Sequence, residues 1–147
     1  KNEWGLLNNR TATPDQFRII PGRAALHTQA STTNNPLLSE LAPTNTLWIH
    51  KERAQALGIA DNDWVEVCTA AGPVGRLRAK VTTGIHPEAA FMLHGFGRKT
   101  PQETRAFGKG VADEACMISG LEHEDPLGGG LALQEHFITI RKAEETD

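Results

Sequence analysis

The chain has 147 residues, a size for one domain that buries its own core without needing a disulfide or metal staple. Lys and Arg number 15 against 18 Asp and Glu, for a net charge of −3, and this balance excludes a nucleic-acid footprint. Hydrophobic residues at 39% are too many for disorder, and no apolar run approaches the about 20 residues of a membrane span, so direct membrane insertion is not expected.

Residues 1–16 are polar and turn-rich without a period and read as a linker or leading arm; Lys1 in place of Met reads as a processed or excised piece. Phe17 to Leu26 reads as a strand interrupted by Pro21-Gly22. The stretch His27 to Asn35 is dense in hydroxyls and amides. Pro36 to Leu41 reads as a short helix with Pro at its first position. Thr46 to His50 is a strand, and Lys51 to Leu57 an amphipathic helix that Gly58 closes at the C′ position. After the turn at 61–63, Trp64 to Thr69 alternates, and Gly75 to Val81 runs back beyond a turn at 71–73. Trp48 and Trp64 are expected in the core, and Arg76, Arg78 and Lys80 on a solvated face. Ala89 to Leu93 is continuously apolar and is expected to be buried on both faces.

Residues 94–115 form a long, basic, glycine-rich connection, of a length that within a compact domain serves function or motion. A short apolar segment, Cys116 to Ile118, precedes a second glycine-rich stretch at 125–130. Phe137 to Ile140 closes the pattern, and an acidic tail over 143–147 is expected to be disordered. The total is six or seven short strands and two short helices, which is a mainly β barrel or sandwich.

Several chemistries fail on these residues. Cys68 and Cys116 lie too far apart for a framework or a zinc knuckle, and Cys68 reads as a small hydrophobe. The six histidines lack metal-ligand spacing. No serine sits in a Gly-x-Ser-x-Gly elbow. The run from Gly95 to Thr100 lacks the spacing of a phosphate loop. What is left is one polar loop, 27–35, and two glycine-rich loops, 94–110 and 125–130. Thr and Asn side chains both donate and accept, and glycines let backbone N–H groups approach phosphates or a ring edge. That chemistry suits a polyoxygenated, nitrogen-rich ligand, although each loop taken singly also reads as ordinary turns. Arg98 and Lys99 are either solvated or beside a phosphate.

The ordered motifs carry a resemblance. LHTQASTTNNPLLSELAPTNTLWIH over 26–50 and ERAQALGIADNDWVEVCTAAGPVGRLRAKVTTGIHPEAAFMLHGFG over 52–97, followed by a late Asp-Pro-Leu-Gly-Gly, resemble one domain type. It is the C-terminal molybdopterin-dinucleotide-binding domain of the dimethyl-sulfoxide-reductase family, nearest the thiosulfate/polysulfide reductase catalytic subunits. The resemblance covers about residues 17–142 and implies a double-psi β-barrel with a few short helices. It further implies molybdopterin guanine dinucleotide in the bis form, with molybdenum or tungsten held by other domains. By the same resemblance, Arg23, His27, Thr28, Gln29, Thr33, Asn34, Phe96, Gly97 and Gln134 bind the cofactor. Relatives place an asparagine before the Asp-Pro; here the neighbourhood is Met117-Ile118-Ser119, and Asp113 is expected to substitute. The implied partners are the remaining domains of the same subunit, an iron–sulfur electron-transfer subunit and a membrane anchor, on the periplasmic side of a bacterial membrane. The competing expectation is a stand-alone double-psi barrel used as a binding module, since the ALGI-turn-VEV step occurs there too. A self-processing decarboxylase of similar fold needs a Gly-Ser pair, which the sequence lacks.

Overall fold

In the computed structural model the described residues are 15–117, 127–130 and 136–144. They build a closed six-stranded barrel. Its strands are β1 (Gln16–Gly22), β2 (Thr46–His50), β3 (Trp64–Thr69), β4 (Gly72–Thr82), β5 (Ala89–Leu93) and β6 (Phe137–Lys142). Around the barrel the order is β1-β5-β2-β4-β3-β6. β1 with β5 and β2 with β4 run parallel; the other ladders are antiparallel. Two helices, α1 (Pro36–Leu41) and α2 (Lys51–Ala56), and two 3₁₀ turns complete the double-psi barrel.

The period-two pattern of every strand explains closure. Phe17 and Ile19, Leu47 and Ile49, Val65 and Val67, Leu77 and Ala79, Ala90 and Met92, Ile138 and Ile140 are all buried, one pair per strand. Inward side chains fill a small barrel, and each large one contributes roughly 1.5–3 kcal/mol by burial. The caps also follow the residues. The Asn35 side chain accepts from the N–H groups of Leu37 and Leu38 at 3.0 and 3.2 Å, with Pro36 at the first helical position. Gly58 takes φ +66° directly after α2.

Several expectations are corrected. β1 stops at Gly22 rather than Leu26; the Phe91 ring lies against the Gly22 backbone where no Cβ fits, and His94 N–H takes the Gly22 carbonyl at 2.7 Å. β4 begins at Gly72 rather than Gly75. The β3–β4 register shifts between Val67 and Cys68, where β4 carries one extra residue, Val74. Trp48 and Trp64 are not core: both point outward and are only partly buried. Cations cover them, Lys80 Nζ at 3.9 Å from the Trp48 ring and the Arg78 guanidinium at 4.4 Å from that of Trp64. The basic face of β4 is therefore stacked and paired rather than simply solvated. β5 buries one face fully, whereas Phe91 and Leu93 on the other are only partly covered.

Asp113–Cys116 is a 3₁₀ turn that puts Cys116 in the core. Its thiol is pushed up to about 12 by burial first and then by the charges of Asp113 and Glu114, which makes it inert as a nucleophile at neutral pH. Gln16, expected in the arm, pairs with Thr139 in the barrel. Ala143, expected in the tail, extends the β3–β6 ladder, its N–H donating to the Trp64 carbonyl at 2.8 Å. Residues 1–14 and 145–147, the 118–126 stretch and Gln134 lie outside the described residues. No described helix is long and apolar enough to cross a membrane.

Candidate cofactor site

Two of the polar loops singled out by composition meet at one end of the barrel. The first contact is between backbones. Gly95, at φ +98°, lies so close to Gln29 and Ala30 that a Cβ there would sit 2.6 Å from the Gln29 carbonyl carbon. The second is a side-chain bridge, in which Asn34 Oδ1 accepts from the N–H groups of Arg105 and Ala106 at 2.9 and 3.2 Å. The third is aromatic: the His27 and Phe96 rings pack edge-to-face with centroids 5.5 Å apart.

The longer loop is ordered by its own bonds. Gly97 N–H donates to Lys109 O at 2.8 Å and Gly108 N–H to Arg98 O at 2.9 Å, so the segment folds back as a closed finger. Arg98 forms a bidentate pair with Glu103 at 2.7 and 2.8 Å, which holds the Glu103 carboxyl below the usual carboxylate range. Arg98 therefore braces the finger, while Lys99, Arg105 and Lys109 are exposed along it.

At the base of the finger sits Asn45, fully buried at the entry to β2. Its Nδ2 donates to Leu93 O at 2.9 Å and Val111 O at 2.8 Å, and its Oδ1 accepts from Val111 N–H at 3.0 Å. One amide thus joins the two stems of the finger. Beside it, His94 Nδ1 lies 3.0 Å from both carboxylate oxygens of the buried Asp113, and Glu114 Oε1 lies 3.5 Å from the same nitrogen.

Known proteins give the site its meaning. The family model of the molybdopterin dinucleotide binding domain matches residues 17–134, a span that contains both loops. The chain belongs to that family. The domain is 38% identical over 101 residues to the thiosulfate reductase molybdopterin-containing subunit PhsA of Salmonella typhimurium, a match covering 66% of this chain and 13% of that subunit. The domain thus spans only a small part of that relative. Its fold is that of a region of acetylene hydratase from Pelobacter acetylenicus, with a TM-score of 0.71 at 19% identity, over 86% of this chain and 18% of that protein.

The residues present fit a dinucleotide of this kind. Thr28 and Gln29 present exposed, uncharged polar groups where the loops converge, Gly97 is partly exposed beside them, and Gly95, at φ +98°, lets the two backbones meet. The structure sorts the residues named from the resemblance. Arg23, Thr28 and Gln29 are exposed, Gly97 and Asn34 partly so. His27, Thr33, Phe96 and Asp113 are buried and act as supports. The His27 ring is already used, its Nε2 bonded to Ala42 O at 2.9 Å and its Nδ1 3.3 Å from Thr32 Oγ1. Thr33 Oγ1 donates to Ala30 O at 2.9 Å. Asp113 was expected as a direct contact in place of an asparagine; its side chain is 1% exposed and reaches outward only through His94. Asn45, His94 and Glu114 are not assigned a role by the sequence. His94 lies inside the quoted His-Gly-Phe-Gly motif, so that signal was present. Asn45 had none, because its partners lie 48 and 66 residues away.

Proposed function

We propose that this chain is the cofactor-binding C-terminal domain of a molybdopterin-dependent oxidoreductase that reduces thiosulfate or polysulfide. The group it holds is molybdopterin guanine dinucleotide, in the bis form, with molybdenum or tungsten ligated by other domains. The observation that carries this reading is the convergence of the 27–35 and 94–110 loops through Gly95, Asn34 and His27, inside a chain that matches the binding-domain family over 17–134. The family match also favours this reading over a binding module unrelated to the cofactor. The substrate class rests on the printed name of the Salmonella relative. An iron–sulfur electron-transfer subunit, a membrane anchor, a place on the periplasmic side and a role in anaerobic respiration belong to the same proposal.

In this role the bound group supplies the redox chemistry, and the domain supplies binding, orientation and exclusion of water. Gly95 and Gly97 let the backbones pack closely enough for the two loops to form one surface for the group. Thr28, Gln29 and Arg23 offer polar contacts at the rim. His27, Phe96 and Asn34 hold those contacts in register. Neither thiol is placed as a metal ligand beside the loops: Cys116 is in the core and Cys68 is on a strand of the barrel wall. In this proposal the metal and its chemistry lie with the other domains, and the domain alone is not catalytic.

The test is a titration of the chain with molybdopterin guanine dinucleotide, followed by pterin fluorescence. The Asn34→Ala variant, which unlocks the two loops from each other, is expected to bind about tenfold more weakly, a change of about 1.4 kcal/mol. Its melting temperature should move by only a few degrees, because Asn34 is outside the barrel core. Equal binding by wild type and variant, or none by either, contradicts the assignment.

A further inference from the structure

We infer that Asp113 is a positioning residue: its carboxylate fixes the His94 ring in the Nδ1–H form and so presents Nε2 as a hydrogen-bond acceptor to the ligand. This rests on the proposed cofactor role of the two loops. The ligand group that meets His94 is then a donor, the amino and ring N–H edge of a 2-amino-4-oxo heterocycle. Pterin and guanine share that edge.

The geometry leads there step by step. His94 directly follows Leu93, whose carbonyl Asn45 holds, and its own backbone N–H is bound to Gly22 O. Asp113 follows Val111 by two residues, and Asn45 holds Val111 through both its N–H and its C=O. One buried amide therefore fixes both halves of the His94–Asp113 pair. The Asp113 side chain is 1% exposed, whereas the His94 side chain is 30% exposed. The pair is thus buried at the carboxylate and open on the imidazole side. An ionised carboxylate only accepts, so the nitrogen 3.0 Å from both its oxygens carries the hydrogen. A neutral imidazole has one N–H, and Nε2 is left with its lone pair. Among the described residues no hydrogen bond to Nε2 occurs. The other charged groups near the pair are Glu114, 3.5 Å from Nδ1, and Arg98, which feels the Glu114 charge.

His94, Asp113 and Glu114 also offer three donor atoms within 4.8 Å of one another, a spacing open to a metal ion. A metal would need the Nδ1 lone pair, the position that the hydrogen bond to Asp113 fills. The 3.0 Å contacts are ordinary hydrogen-bond lengths, so the bonded pair is the simpler reading.

The tautomer can be read in the chain itself by ¹⁵N-histidine NMR at alkaline pH. The wild type should show a protonated Nδ1 and a bare Nε2 at His94. In Asp113→Asn the ring should move toward the Nε2–H form. The wild-type measurement needs no variant, so poor folding of Asp113→Asn does not rescue the inference. An Nε2–H ring in the wild type overturns it, since the carboxyl would then hold the proton and donate to Nδ1. So does a shift of Nδ1 on adding one equivalent of Zn²⁺, which would make the cluster a metal site. Two ligand arms separate the sources: neopterin for the pterin edge and GDP for the guanine edge. One of them should move the Nε2 resonance. If neither does while the full dinucleotide still binds, the inference fails and the cofactor assignment stands.

Discussion

Asn45→Ala should be the most damaging single substitution in the barrel. It removes the partner of the Leu93 and Val111 carbonyls and of the Val111 N–H at a position where Asn45 itself is fully buried. A buried backbone group left without its partner costs about 1–3 kcal/mol, so the loss should total roughly 3–5 kcal/mol. That is a large share of the roughly 5–15 kcal/mol that holds a domain folded, and it should lower the melting temperature by about 10 °C or more. Asn45→Leu separates polarity from volume: it refills the space and is expected to recover little. Asn45→Asp keeps the acceptor for Val111 N–H but sets a carboxylate against two carbonyls, so it should be no milder. Chemical denaturation of the three variants measures this. If Asn45→Leu proved close to wild type, the amide would be filling space and not joining the finger.

Gly97→Ala comes next, and its effect should appear in both stability and cofactor binding. Gly97 sits at φ +74°, and a Cβ there would collide with the backbone of Val111 and Ala112. No rotamer relieves a clash with backbone, so the finger must shift. Left-handed backbone in a non-glycine residue costs roughly 1–2 kcal/mol alone, and the collision adds to it, for about 2–4 kcal/mol in all. Gly108 is the internal control. It has φ +68° but nothing within 4 Å of its Cβ position, so Gly108→Ala should show only the smaller backbone cost of about 1 kcal/mol. Paired melts of the two variants, with dinucleotide titrations alongside, give the comparison. Equal effects at Gly97 and Gly108 would mean that the close approach to Val111 and Ala112 is unimportant.

Much of the barrel was legible because its strands alternate cleanly, and β2, β3 and β5 fall where the pattern put them. Where it misled, the cause was local. Trp48 and Trp64 look like core by size, yet they take the outward positions of their strands, where Lys80 and Arg78 cover them. Opposite Val67 and Cys68, β4 carries one extra residue, Val74, and the strand begins at Gly72. The site was half legible. Composition marked the two loops, and the resemblance named His27, Asn34 and Phe96, which the structure brings into one locale. It did not tell contact from support: the His27 ring bonds to Ala42, and Phe96 is buried against it. Asn45 and the His94–Asp113 pair are made by partners far apart in sequence, and periodicity and spacing carry no such information.

The central claim is that the 27–35 and 94–110 loops form one binding surface for a molybdopterin dinucleotide. Hydrogen–deuterium exchange of the chain with and without molybdopterin guanine dinucleotide tests it most directly. Protection should rise over 27–35 and 94–113 and stay level on β3, β4 and β6. Protection confined to those three strands, or none at the two loops under saturating dinucleotide, would contradict it.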